Sequence, residues 1–235
     1  PKCQRELIHT VCERNTPVIL VNMTGSAIDF DEGCKADAII QAWYPGAMGG
    51  RAVSDLIFGE YSPSGKLPVT FYKNTNHLPD FEDYSMENRT YKFFREEPLY
   101  PFGYGLSYTT FAFSHMRTDR KKFQGGEDVT VTVRVKNTGE CAGDEIVEFY
   151  VRDEEASVRV PIHKLCGMKR VSLKPGEETD VTVVIDPEQF AVIDEAGNQI
   201  YEPGAFTIFA SGCQPDAFSE GLSGQEAAKA EIEMI

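Results

Sequence analysis

The chain lacks any apolar run near the roughly 18 residues that a membrane-crossing helix requires. Its six cysteines (Cys3, Cys12, Cys34, Cys141, Cys166, Cys213) contain no CxxC pair. That spacing argues against a zinc site, and a chain with enough apolar residues for real cores needs no disulfide framework. Buried free thiols are therefore expected, and a cytoplasmic setting is favoured over secretion. Positive charge is also scarce: 23 basic residues face 37 acidic ones, for a net charge of -14. Phosphates would be repelled, so neither nucleic acid nor membrane is expected as a partner, and a neutral ligand fits better. The glycine-rich turn Tyr44-Pro45-Gly46-Ala47-Met48-Gly49-Gly50 lacks the GxxxxGK[ST] pattern of a phosphate loop. No metal site is expected. The first residue is Pro1 rather than Met, so the absence of a visible signal peptide decides nothing. Asn22-Met23-Thr24 and Asn88-Arg89-Thr90 match the glycosylation pattern, a short motif that often arises by chance.

What is present divides at a seam. Leu99 to Thr109 packs four aromatics and two glycines into eleven residues. Rings that bury large area and glycines that permit close backbone approach suit a rigid connector, not a flexible linker. Before the seam, helical spacing of Cys3, Leu7, Ile8 and Val11 predicts a helix that ends at Asn15-Thr16-Pro17. The continuous apolar run Pro17 to Val21 predicts a strand covered on both faces. A short helical piece closing at Cys34 to Ala36, a second strand over Ala38 to Trp43, a helix over Arg51 to Phe58 and a third strand over Leu67 to Phe71 follow. Such alternation predicts an α/β domain with a mostly parallel sheet, whose ligands sit at the carboxyl ends of strands. Trp43, the sole tryptophan, stands at one such end, where core packing is favoured over ligand stacking.

After the seam, Val129, Val131, Val133 and Val135 alternate with polar residues, the pattern of a strand buried on one face. Further strands are expected over 146–151, 164–173, 181–185 and 206–210, with turns at Asn137-Thr138-Gly139 and Lys174-Pro175-Gly176-Glu177. This is the signature of an antiparallel β-sandwich. His115 and His163 have no ligand spacing and are read as surface or structural residues. The expected organisation is 1–98 α/β, 99–112 connector, 113–220 sandwich and 221–235 a helical or frayed tail.

The acidic and aromatic stretch Asp80 to Tyr91 has little periodicity. Long irregular loops in compact domains tend to carry function. Carboxylates beside rings and an arginine can grip hydroxyls and stack a sugar ring, which makes Asp83, Tyr84, Arg89 and Tyr91, with Trp43, the candidate substrate-binding residues; a solvated surface loop is the competing possibility.

Three motifs together, Ala42-Trp43-Tyr44-Pro45-Gly46 with Gly49-Gly50, Ser62-Pro63-Ser64-Gly65-Lys66-Leu67-Pro68-Val69-Thr70, and Pro101-Phe102-Gly103-Tyr104-Gly105-Leu106-Ser107-Tyr108-Thr109, resemble glycoside hydrolase family 3. The later Tyr150-Val151-Arg152-Asp153 and Leu173-Lys174-Pro175-Gly176-Glu177 resemble the fibronectin type III-like domain that follows in that family. Phe81 to Met86 with Arg89-Thr90-Tyr91 is most similar to the β-xylosidase and β-glucosidase branch. The resemblance implies a three-layer α/β sandwich, present in part, and a β-sandwich of fibronectin type III or immunoglobulin type. It implies an exo-acting retaining β-glycosidase acting on β-linked oligosaccharides or glycosides without a cofactor, and a homodimer is compatible with it. The family's aspartate nucleophile belongs to a preceding TIM-barrel domain, and its acid/base glutamate lies just before the point where Pro1 falls. No catalytic residue is therefore expected in these residues, and the isolated chain is expected to be inactive. Ala47-Met48 stands where the family turn carries a polar Gln-Glu pair. A separate carbohydrate-binding or purely structural module is the alternative.

Overall fold

Residues 2–28 and 35–235 are described in a computed structural model of the chain. The short helical piece expected around Cys34 lies largely outside the described residues, as do Pro1 and Cys34. Helix α1 spans Lys2–Cys12, and strands β1 (Ile19–Asn22) and β2 (Ala38–Gln41) pair in parallel with Ile19 opposite Ala38. Helix α2 follows over Gly49–Ile57. The apolar face of α1 and the outer strand lie open: Leu7 is 63% exposed and Ile19 45%. A run expected to be covered on both faces is thus covered only in part by the described residues.

The expected third strand over Leu67 to Phe71 does not join the parallel sheet. Leu67 and Phe71 donate to the carbonyls of Tyr104 and Tyr100 at 2.9 Å each, and Gly103 N–H returns a bond to the Leu67 carbonyl at 2.8 Å. The segment therefore runs antiparallel to the connector, with one ladder bridge at Phe71 and Tyr100. Pro68 has no N–H to offer a second strand, which limits the pairing to isolated contacts. A one-turn helix α3 (Thr90–Phe93) closes the irregular stretch.

The sandwich holds β3 (Phe111–Thr118), β4 (Lys122–Phe123), β5 (Val129–Asn137), β6 (Gly143–Asp153), β7 (Lys164–Leu173), β8 (Glu178–Ile185), the small hairpin β9 (Val192–Ile193) and β10 (Gln199–Ile200), β11 (Gly204–Ser211), helix α4 (Ala217–Ser223) and β12 (Ala228–Met234). One sheet has the order β3-β5-β8, the other β4-β12-β11-β6-β7. The alternation in β5 holds: all four of its valines are fully buried, facing Val147, Phe149 and Ile208 in one core. Each sheet contributes an apolar inner face, as aligned sandwich packing requires.

Two elements depart from the expected organisation. Strand β3 begins at Phe111, inside the expected connector. The segment beyond Gly224, expected to be helical or frayed, is strand β12, paired antiparallel with β11 and parallel with β4. Only Gly221 to Ser223 are helical, within α4, which Gly224 ends in the left-handed region at φ +68°. Ala and Glu carry weak strand preference, so pairing and burial of Ala230, Ile232 and Met234 decide the outcome over local propensity.

The halves meet through the connector and the outer face of the five-stranded sheet. Tyr91 stacks on Phe102 with centroids 4.2 Å apart, and Tyr100 on Tyr104 at 5.7 Å. A Cβ on Gly105 would stand 2.0 Å from the Gly65 carbonyl oxygen, so only glycine fits there. Beneath this contact Lys66 Nζ lies 2.8 Å from Glu145 Oε1, with side chains 9% and 2% exposed. Thr109 Oγ1 donates to Asn137 Oδ1 at 2.7 Å, and Asn137 Nδ2 donates to the carbonyls of Cys141 and Leu173 at 2.9 and 3.0 Å. The connector is held further by Ser107 Oγ against Ser62 Oγ at 2.9 Å and by the Tyr108 hydroxyl, which donates to the Leu56 carbonyl at 2.7 Å.

Two substitutions test this packing. Ile232→Ala is expected to lower stability by about 2–5 kcal/mol in urea unfolding, the range for truncating a buried aliphatic chain; a change under about 0.5 kcal/mol would mean that β12 is peripheral. Lys66→Ala should cost about 3–5 kcal/mol, because it strands a buried carboxylate, while the paired Lys66→Met, Glu145→Leu change should cost far less. Equal losses in the single and double variants would contradict the buried ion pair.

Candidate functional site

The loop over 80–89 is built by its own polar groups. Asp80 Oδ1 accepts from Glu82 N at 2.9 Å, and Asp83 Oδ1 accepts from Ser85 N at 2.8 Å. These are the side-chain-to-backbone turns that short carboxylates favour. Arg89 closes the loop: its Nη2 donates to the carbonyls of Asp80 and Asp83 at 2.6 and 3.0 Å, and its Nε donates to Asp83 at 3.2 Å. The planar guanidinium suits such multiple, fixed contacts. Met86, Asn88 and Thr90 all have positive φ, at 63°, 52° and 54°. For a β-branched threonine this is a strained conformation, and Thr90 N–H is held by the Tyr72 hydroxyl at 2.9 Å.

Asp83, Tyr84 and Arg89 therefore lie together, as the sequence suggested, but in different roles. Tyr84 is 85% exposed and Phe81 88%, two rings offered outward by a braced loop. The hydrogen bonds from Ser85 hold the exposed Asp83 carboxyl below the usual carboxylate range, and the charge of Arg89 adds to this. Arg89 spends donors on its own loop. Tyr91 is not part of this surface: it stacks on Phe102, lies edge-on to Tyr150, and its hydroxyl accepts from Leu165 N at 3.1 Å. Burial raises its pKa.

Trp43 stands apart, half-buried at the end of β2 with φ +51°. Its ring lies edge-on to Phe71 at 6.1 Å. Beyond it Tyr44 and Met48, 81% and 63% exposed, open the glycine turn to solvent.

A cavity of about 300 Å³ lies between the halves, lined by Thr70, Tyr91, Phe94, His163, Gln214 and Asp216 among others. His163 is buried, hydrogen-bonded through Nε2 to Gln214 Oε1 at 2.8 Å, and burial lowers its pKa. Its Nδ1 is buried without a hydrogen-bond partner among the described residues. His115 is exposed beside an irregularity in β3.

The free thiols are only partly the buried set expected. Cys213 is buried and Cys166 half-buried, but Cys3 and Cys141 are exposed. Burial pushes the Cys166 thiol up to about 12, so it is inert at neutral pH. Among the described residues no group of three or more His, Cys, Asp or Glu could hold a metal ion, and no helix is long and apolar enough to cross a membrane.

Sequence reasoning missed Lys66, Glu145 and Glu148. Glu145 accepts from Ile146 N and Gln225 Nε2 besides Lys66, and Glu148 accepts from the Tyr150 hydroxyl at 2.7 Å. The available signal was the Ser62-to-Pro68 motif that carries the lysine, but its partner lies 79 residues onward and no local pattern links them. These carboxylates are committed to the seam. They do not form an open pair flanking a space for a glycosidic bond.

The sequence profile of the Glycosyl hydrolase family 3 C-terminal domain matches residues 1–108, and that of the Fibronectin type III-like domain matches residues 145–212. A xylan 1,4-beta-xylosidase from Xylanibacter ruminicola is 42% identical over 210 residues, covering 88% of this chain and 24% of its own length. A periplasmic beta-glucosidase from Salmonella typhimurium is 36% identical, with 89% and 29% covered. Among solved structures, a β-glucosidase from Erythrobacter marinus superposes with a TM-score of 0.82 at 33% identity over 99% of this chain and 30% of its own. The chain thus spans about a quarter to a third of the length of such relatives. With both halves matched and the seam between them preserved as one fold, the chain belongs to glycoside hydrolase family 3, as its C-terminal α/β region followed by a fibronectin type III-like domain.

Proposed function

We propose that the chain is the C-terminal portion of an exo-acting retaining β-glycosidase of β-glucosidase or β-xylosidase type, which removes terminal non-reducing β-linked sugars. In that reading the upstream chain supplies both catalytic carboxylates, the nucleophile from a TIM-barrel domain and the acid/base group from residues nearer to Pro1. Retaining hydrolysis needs two such groups about 5 Å apart, one attacking the anomeric carbon and one protonating the leaving oxygen. A water then releases the glycosyl-enzyme intermediate. No metal or organic cofactor enters this chemistry, and neither nucleic acid nor membrane takes part.

The observation that carries the reading is the likeness to β-glucosidases and β-xylosidases across both halves. The apolar residues left open on the α/β half, Leu7, Ile19, Met23 and Tyr44 among them, support a further covering layer from the upstream chain. We assign substrate contact to Asp83, Tyr84 and Trp43. An exposed ring and a carboxylate held ionised can stack a sugar face and accept its hydroxyls. Arg89 and Tyr91 are assigned positioning roles, because their polar groups are engaged within the loop and the seam.

The isolated 235-residue chain is expected to release no nitrophenol from aryl β-glucosides or β-xylosides, and to give no binding heat with xylo- or cello-oligosaccharides. Turnover abolished by a point substitution within these residues would overturn the assignment, and binding without turnover would favour a separate carbohydrate-binding module. In the longer enzyme, Tyr84→Ala should weaken KM by about tenfold, the loss of one stacking contact of roughly 1.4 kcal/mol. An unchanged KM would remove Tyr84 from the pocket.

A further inference from the structure

Two buried carboxylates and one lysine meet beneath the connector. Glu145 has the better share, with Lys66 Nζ at 2.8 Å, Ile146 N at 2.8 Å and Gln225 Nε2 at 2.9 Å. Glu148, 3% exposed, lies under the connector itself: a Cβ on Gly103 would stand 2.3 Å from its Oε2. That oxygen accepts from the Tyr150 hydroxyl at 2.7 Å. Glu148 and Tyr150 share the face of β6 opposite Val147, Phe149 and Val151, so they point away from the sandwich core and toward the α/β half.

Among the described residues, the other titratable groups around Glu148 bring no second cation. Tyr91 from α3 and Cys213 beyond β11 interact with its charge, and burial raises the pKa of both, so each is neutral at pH 7. His163, whose ring lies 5.3 Å from that of Tyr150, is kept neutral by burial. Among the described residues, Lys66 is the one positive group that acts on Glu148. One lysine cannot compensate two buried negative charges, since an unpaired charge in such a site costs several kcal/mol. Protonation is the available relief. Burial lifts the Glu148 carboxyl to about 7, with Glu145 adding to the rise while Tyr150 and Lys66 oppose it.

We propose that Lys66, Glu145 and Glu148 form a proton-dependent clamp between the connector and the five-stranded sheet, closed when Glu148 carries a proton and loosened when it does not. The sign follows from the folded state binding this proton more tightly than the unfolded chain. The stabilisation is complete below the ordinary glutamate pKa of about 4.3 and is lost as pH rises through about 7. The inference concerns the seam alone and stands whether or not the glycosidase assignment holds.

Hydrogen exchange of the complete chain tests it. After correction for intrinsic exchange, opening of the connector amide at Gly103, which donates to the Leu67 carbonyl, should rise on the order of 50-fold between pH 5 and pH 8 in the wild type, by proton linkage. The isosteric Glu148→Gln variant keeps a partner for Tyr150 and should change less than about threefold over the same range. Should that variant fail to fold, carbon-13 resonances of the wild-type glutamate carboxyls still decide the matter. One of them should titrate near pH 7. Equal pH dependence in the two proteins, or glutamates that all titrate below about pH 5.5, would overturn the proposal.

Discussion

The contact between Lys66 and Glu145 fixes how the two halves of the molecule sit together. A buried ion pair of this kind adds little net stability, because desolvation offsets most of the attraction. Its effect is on geometry: neither partner tolerates being left alone, so the loop carrying Lys66 has one acceptable position over β6. The glycines of the connector serve the same end by allowing backbone to approach where a Cβ would collide. Stacked rings at Tyr91 and Phe102 then fill the space beside the ion pair. Charge, close approach and ring packing each specify the same orientation.

That orientation matters to function because the irregular loop at 80–89 is tethered at the seam. Its last residues run into α3, where Tyr91 receives a hydrogen bond from Leu165 on β7 and the Lys92 carbonyl accepts from Ile162 N. The sandwich thus braces a loop that belongs to the α/β half. In the proposed enzyme, the fibronectin-like domain does not need to touch sugar. It holds the wall of a cavity whose acids come from elsewhere.

The sandwich strands were legible where one face is buried and side chains alternate, as in β5, because period-2 patterning is a local signal. Strand β12 was not, since Ala228 to Met234 reads as helix by propensity and is a strand only through its partners on both sides. The extended Leu67 to Phe71 was misassigned to the parallel sheet because the sequence shows an apolar run but not what it pairs with. The candidate site divides similarly. The grouping of Asp83, Tyr84 and Arg89 could be seen from their closeness in the chain, while the separation of Tyr91 and Trp43 from them depends on ring contacts made at long range. The Lys66–Glu145–Glu148 cluster joins residues on two domains, and only the folded chain reveals that one cation serves two acids.

In the proposed enzyme this chain shapes a sugar pocket but supplies neither of the groups that cleave the bond. A crystal structure of the longer enzyme with a bound β-glycoside tests it directly. The expected result places Tyr84 and Asp83 against the sugar, with both carboxylates that flank the glycosidic oxygen drawn from residues ahead of Pro1. A catalytic carboxylate contributed by any residue of this chain, or a ligand remote from the loop at 80–89, would contradict it.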